Sequence, residues 1–221
     1  MPPAALLLDC DGVLVDSEAI ARDVLLTLAG EVGDVPGAAE LGERLTGRSL
    51  TEVVALLERE LGVPLPADFP ERYRRLSAER FAADLRPIAG VRELLGGLPV
   101  PAAVVSNGPP EKIRANLATT GLASFFPAGR RFSAYEIGHW KPDPALFLYA
   151  AAALGVAPAG CLVVEDSVPG VEAALAGGFR VLGFTDGRAP KRAALATTGV
   201  PLAATMAEVA SAIAIGGAPH P

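Results

Sequence analysis

The chain has 221 residues, 51% of them apolar, and a formal net charge of −6. That is enough apolar sequence for one large domain carrying a smaller one, and it excludes global disorder. The negative balance argues against broad electrostatic binding to nucleic acid or anionic membrane, and no uncharged apolar run of about 18 residues predicts a membrane span.

The first predicted element is the apolar run "ALLL" (5–8), which leads straight into "DCDGVLVD". A run apolar at every position predicts a strand buried on both faces, as in a parallel sheet covered by helices. It ends in Asp9 and Asp11. Cys10 between them alternates to the opposite face and reads as core.

The next interval, roughly residues 17 to 98, is far longer than an ordinary strand–helix crossover. It carries three helical patterns: "EAIARDVLLTLA" (18–29), "SLTEVVALLERELG" and "PERYRRLSAERFAADL". The second opens with Ser49-x-x-Glu52, the pattern of a capping box, and closes at Gly62. This predicts a small helical domain inserted into the sheet domain, with Pro87 to Gly90 as the return hinge.

Strand and helix then alternate. "AAVVS" (102–106) ends in Ser106, Asn107 and Gly108, and "PPEKIRANLATTG" is a helix stopping at Gly121. "KPD" carries Lys141, and Asp143 and Pro144 open the helix "DPALFLYAAAALG", which Gly155 ends. "CLVVE" (161–165) runs into Asp166 and Ser167, followed by the helix "PGVEAALAGG". "RVLGF" (180–184) and the weaker "PLAAT" (201–205) are the last strands read from the pattern. The expected fold is α/β: a doubly wound, Rossmann-like parallel sheet in residues 1–16 and 88–221, with an inserted α-helical cap domain in 17–87.

In such sheets ligands bind beyond the carboxyl ends of the strands. Here those ends would bring together four acids (Asp9, Asp11, Glu165 and Asp166), the Ser106 hydroxyl and the Lys141 ammonium. Carboxylates that outnumber cations need compensating charge. An all-oxygen donor set suits Mg²⁺, which works together with substrate phosphates. Lysine and hydroxyl would then hold phosphoryl oxygens, so the rim reads as built for phosphoryl transfer. Cys10 and Cys161 lie in strand-like runs and the N-terminus lacks a secretory pattern, which predicts a cytoplasmic protein without disulfides.

The ordered segments "DCDGVLVD", "VVSNG", "KPDP" and "VVEDS" resemble the four motifs of the haloacid dehalogenase superfamily. The helical insert is similar to the cap of its β-phosphoglucomutase-like branch. "AVVSNGPPEKI" and "WKPDPALF" are most similar to 6-phosphogluconate phosphatase-type members. The resemblance implies a nucleophile at Asp9, which forms an aspartyl-phosphate, and a general acid–base at Asp11. It implies phosphoryl contacts from Ser106, Asn107, Gly108 and Lys141, and a Mg²⁺ site from Asp9, Asp11, Glu165 and Asp166. Substrate contacts from the cap are expected at Ser17 and Arg48. The arginines at 72, 74, 75 and 80 read as a solvated helix face, and His139 and His220 as incidental.

The resemblance further implies a Mg²⁺-dependent phosphohydrolase acting on a sugar phosphate or sugar-acid phosphate, as a monomer or weak homodimer. The mutases of that branch place a histidine and an arginine where this chain has Ala21 and Leu50, which favours hydrolysis. A phosphosugar mutase and a non-hydrolytic phospho-aspartate switch are the two alternatives.

Overall fold

A computed structural model describes residues 1–35, 37–45 and 50–215. The strands among these residues are β1 (Ala5–Leu8), β2 (Ala102–Ser106), β3 (Arg131–Ser133), β4 (Cys161–Glu165), β5 (Arg180–Phe184) and β6 (Leu202–Ala203). All pair in parallel, in the order β3-β2-β1-β4-β5-β6. The order reverses beside β1: the chain first builds outward through β2 and β3, then returns to the other side of β1 for β4. That reversal opens a crevice at the carboxyl ends of β1 and β4.

The helices are α1 (Glu18–Gly30), α2 (Ala38–Leu45), α3 (Leu50–Leu61), α4 (Phe69–Asp84), α5 (Val91–Gly96) and α6 (Pro110–Thr119). They continue as α7 (Ala134–Ile137), α8 (Ala145–Ala153), α9 (Val168–Ala176), α10 (Ala189–Ala196) and α11 (Met206–Ile215). Every residue of β1, β2 and β4 is buried, as a sheet covered on both faces requires. One face packs Leu7, Val105 and Val163 against Leu146, Phe147 and Ala150 of α8 and Val171 and Ala174 of α9.

The chain divides into a sheet unit, 1–16 with 86–221, and a helical unit, 17–85. Arg86 and Pro87, assigned to the helices by sequence, lie with the sheet. The Arg86 carbonyl accepts the Asp16 N–H, Val15 bridges to Pro87, and Ile88 N–H donates to Leu14. Backbone pairing with the segment after β1, rather than hydropathy, sets that boundary. Within the helical unit, Val24 and Leu28 of α1, Leu41 and Leu45 of α2, Leu56 and Leu57 of α3, and Phe69 of α4 form a separate core. Ser49, the expected cap of α3, lies outside the described residues. Of "PLAAT" only Leu202–Ala203 is strand. β3 escaped the pattern because "RFS" is three residues with one apolar side chain.

Candidate active site

β1 delivers Asp9 to the rim while still in the sheet: its N–H donates to Val164 of β4. The chain then turns tightly. Gly12 N–H donates to the Val15 carbonyl, and Leu14 N–H to the Cys10 carbonyl. Gly12 is obligatory here for two reasons. Its φ is +79°, and a Cβ would stand 1.9 Å from Asp166 Oδ2.

Lys141 lies at the centre. Its Nζ donates to Asp9 Oδ1 at 2.6 Å, Glu165 Oε1 at 2.5 Å and the Val105 carbonyl at 2.8 Å, using all three ammonium donors. The side chain is 3% exposed, and Nζ sits 4.8 Å from the centre of the Phe147 ring. Asn107 locks the lysine backbone: its Oδ1 accepts the Lys141 N–H and its Nδ2 donates to the Lys141 carbonyl. Burial disfavours the ammonium, but Asp9 and Glu165 outweigh it and hold Lys141 above the ordinary lysine range. Burial pushes the Asp9 carboxyl up to about 7, against the pull of Lys141. The Cys10 thiol, buried and beside Asp11 and Asp9, is also driven upward.

Glu165 is hydrogen-bonded through both carboxylate oxygens. One oxygen is on Lys141, and the other accepts Asp166 N–H, Ser167 N–H and Ser167 Oγ–H. Its two oxygens thus brace Lys141 and the turn after β4. Ser167 both donates to Glu165 and caps α9 by accepting the Gly170 N–H. Ser106 Oγ accepts the Gly108 N–H, and Ser133 Oγ donates to the Gly108 carbonyl. Asp16 pairs with Arg188 at 2.7 Å, a role in the scaffold. Asp143 accepts the Ala145 N–H through one oxygen, and its other oxygen lies 2.8 Å from His139 Nδ1 on the surface.

Two lysines at the rim were missed by the sequence reading. Lys112 Nζ lies 2.7 Å from Asp11 Oδ2, and Lys191 Nζ 2.5 Å from Asp166 Oδ2. Four carboxylates therefore face three ammonium groups, and the expected large surplus of negative charge is corrected to a small one. A signal was present. Each lysine is the third residue of its helix, α6 and α10. There a cation opposes the helix dipole unless an anion stands nearby.

Among the described residues no three acidic, histidine or cysteine side chains form a ready-made metal cage. A hard cation that shares its shell with water and a phosphate needs fewer protein donors. The oxygen donors chemically suited to one are the Asp9 and Asp166 carboxylates, which pair here with Lys141 and Lys191, and the Asp11 carbonyl. Arg48 lies outside the described residues. Ser17 opens the helical unit, where its carbonyl accepts the Ala21 N–H. Arg72 and Arg80 pair with Glu31 and Asp84 on the surface of that unit.

Residues 3–178 match the haloacid dehalogenase-like hydrolase family. The chain belongs to that family. It is 37% identical over 181 residues to the 6-phosphogluconate phosphatase of Escherichia coli (strain K12), covering 81% of each chain. A haloacid dehalogenase-like protein from Agrobacterium tumefaciens str. C58 superposes with a TM-score of 0.87 at 35% identity, covering 96% of this chain and 98% of that one. A family hydrolase from Deinococcus radiodurans R1, solved with bound phosphate and sodium, superposes with a TM-score of 0.84 at 30% identity, covering 97% of this chain and 96% of its own. In this family member the parallel sheet carries the four motifs to one rim. No helix among the described residues is long and apolar enough to cross a membrane.

Proposed function

We propose that this enzyme, a phosphoric monoester hydrolase, removes the phosphoryl group from a small phosphorylated sugar or sugar acid through an aspartyl-phosphate on Asp9. The observation that carries this reading is Lys141, buried and bound to Asp9 and Glu165 at once. An ammonium held against the nucleophile's carboxylate is suited to a reaction in which that carboxylate meets an incoming dianion.

In the first step an Asp9 oxygen attacks phosphorus, and the bond from phosphorus to the sugar oxygen breaks. Asp11 gives its proton to that oxygen as it leaves. In the second step Asp11, now a carboxylate, takes a proton from water as the water attacks phosphorus. The bond to Asp9 breaks and inorganic phosphate departs. Ser106 Oγ and the Asn107 N–H hold the phosphoryl oxygens, and the Lys141 ammonium, bonded to Asp9, supplies positive charge beside them. Glu165 and the Asn107 side chain fix Lys141 in place. Asp9, Asp166 and the Asp11 carbonyl would hold Mg²⁺, which when bound supplies positive charge against the phosphoryl oxygens. Phosphate and a cation bound to the Deinococcus relative support such a seat. The name of the Escherichia coli relative supports a sugar acid, 6-phosphogluconate, as first substrate to try.

The test is phosphate release from a panel of phosphosugars and phosphosugar acids, with Mg²⁺ and with excess EDTA. Steady multiple turnover is expected with Mg²⁺ and none with EDTA. Asp9→Asn should lower turnover by at least about a thousand-fold. Near-normal activity of that variant overturns the reading. So does phosphorylation of the protein without turnover, or interconversion of sugar phosphates faster than phosphate release.

A further inference from the structure

We propose that Lys112 is a specificity residue that binds the carboxylate of a phosphorylated acid on the leaving-group side of the site. The inference rests on the phosphatase reading above and names the substrate class within it.

Three observations carry it. First, the three rim lysines are not equivalent. Lys141 and Lys191 are 3% and 7% exposed within their ion pairs, whereas Lys112 is 33% exposed and its partner Asp11 29%. Of the three lysine side chains, that of Lys112 is by far the most open to solvent. Second, Lys112 is bonded to the residue assigned to protonate the leaving oxygen, at 2.7 Å, while Lys141 serves the buried side where phosphorus reacts. It therefore stands where the sugar, not the phosphoryl group, lies. Third, Gly108 keeps this corner open. A Cβ there would come within 3.3 Å of Ser106 Oγ, 3.6 Å of the Lys112 stem and 4.0 Å of Asp11 Oδ2. The phosphoryl-side hydroxyl, the acid and the lysine thus border one clearing that a side chain would fill.

The geometry also limits the ligand. With the 2.7 Å Lys112–Asp11 pair and hydrogen bonds of about 2.8 Å at either end, a bound carboxylate lies within about 8 Å of the ester oxygen. A short sugar-acid or hydroxy-acid phosphate spans that distance. A neutral sugar phosphate of equal length offers nothing charged for the lysine, and a planar carboxylate accepting from an ammonium is the stronger, charge-assisted bond.

The experiment compares 6-phosphogluconate with sorbitol 6-phosphate, an open-chain phosphate of the same carbon count that carries a hydroxymethyl group in place of the carboxylate. Phosphate release is measured for wild type, Lys112→Met and Lys112→Arg, and direct binding of both compounds is measured by calorimetry in an Asp9→Asn background. Wild type should prefer the acid. Lys112→Met should lower that preference roughly ten- to a hundred-fold, chiefly through KM, with the same loss in binding of the acid. Lys112→Arg should retain much of the preference. Changes in kcat from the lost Asp11 partner affect both substrates and cancel in the ratio. If wild type hydrolyses p-nitrophenyl phosphate and both six-carbon phosphates but Lys112→Met leaves the ratio unchanged, the role of Lys112 is overturned while the phosphatase reading stands. If wild type releases phosphate from none of them, both fall together.

Discussion

At the scale of single residues, the site is held by contacts that leave no slack. Glu165 accepts four hydrogen bonds through two oxygens, and the α9 glycine Gly170 makes room for it. A Cβ on Gly170 would lie 2.0 Å from the Glu165 carboxyl carbon. The carboxylate is pinned by Lys141, Ser167 and two N–H groups, so it cannot swing aside without releasing Lys141. Gly170→Ala is therefore expected to lower kcat at least about ten-fold and to destabilise the fold by about 1–3 kcal/mol, the usual range for overpacking. Phosphate-release kinetics and urea unfolding check the two effects.

At the scale of elements, the turns after the strands matter more than the strands. β3 is an edge strand of three residues, yet its last residue organises two loops. Ser133 caps α7 by accepting the Tyr135 N–H, its own N–H donates to Glu136, and its hydroxyl donates to the Gly108 carbonyl. It thus ties the "SNG" loop, which presents Ser106 and Asn107, to the neighbouring helix. Ser133→Ala removes the cap and leaves a carbonyl without its partner, which should cost about 1–2 kcal/mol. It should also raise KM more than it lowers kcat, because the residues that hold the phosphoryl group lose their support. Chemical denaturation and steady-state kinetics would show it. A wild-type stability would mean that water replaces the hydroxyl at no net cost.

At the scale of the whole molecule, the sheet keeps its reactive groups sorted by face. Cys10 is adjacent to both reacting acids in sequence, but alternation turns it into the core, and Cys161 is buried within β4. Burial raises both thiols above their ordinary range. Neither should react with a disulfide reagent at pH 8 in the native protein, and both should react on unfolding in guanidinium. A fast-reacting native thiol would show that β1 or β4 opens. Much of this architecture was legible in the sequence. Continuous apolar runs marked β1, β2, β4 and β5, because burial on both faces leaves no polar alternation to hide them. Asp9, Asp11, Ser106, Glu165 and Asp166 stood at or just beyond the strand ends where such sheets bind ligands, and Lys141 in the loop before α8. Proline, glycine and capping residues marked the helices between, since those signals act within a few residues. Tertiary structure alone decided which charges meet. Lys141 finds Asp9 across 132 positions, Lys112 finds Asp11 across 101, and Lys191 finds Asp166 across 25. Such separations carry no local periodicity. They are fixed only when parallel pairing sets the strands in register, and that packing turned an apparent excess of acids into a nearly balanced site.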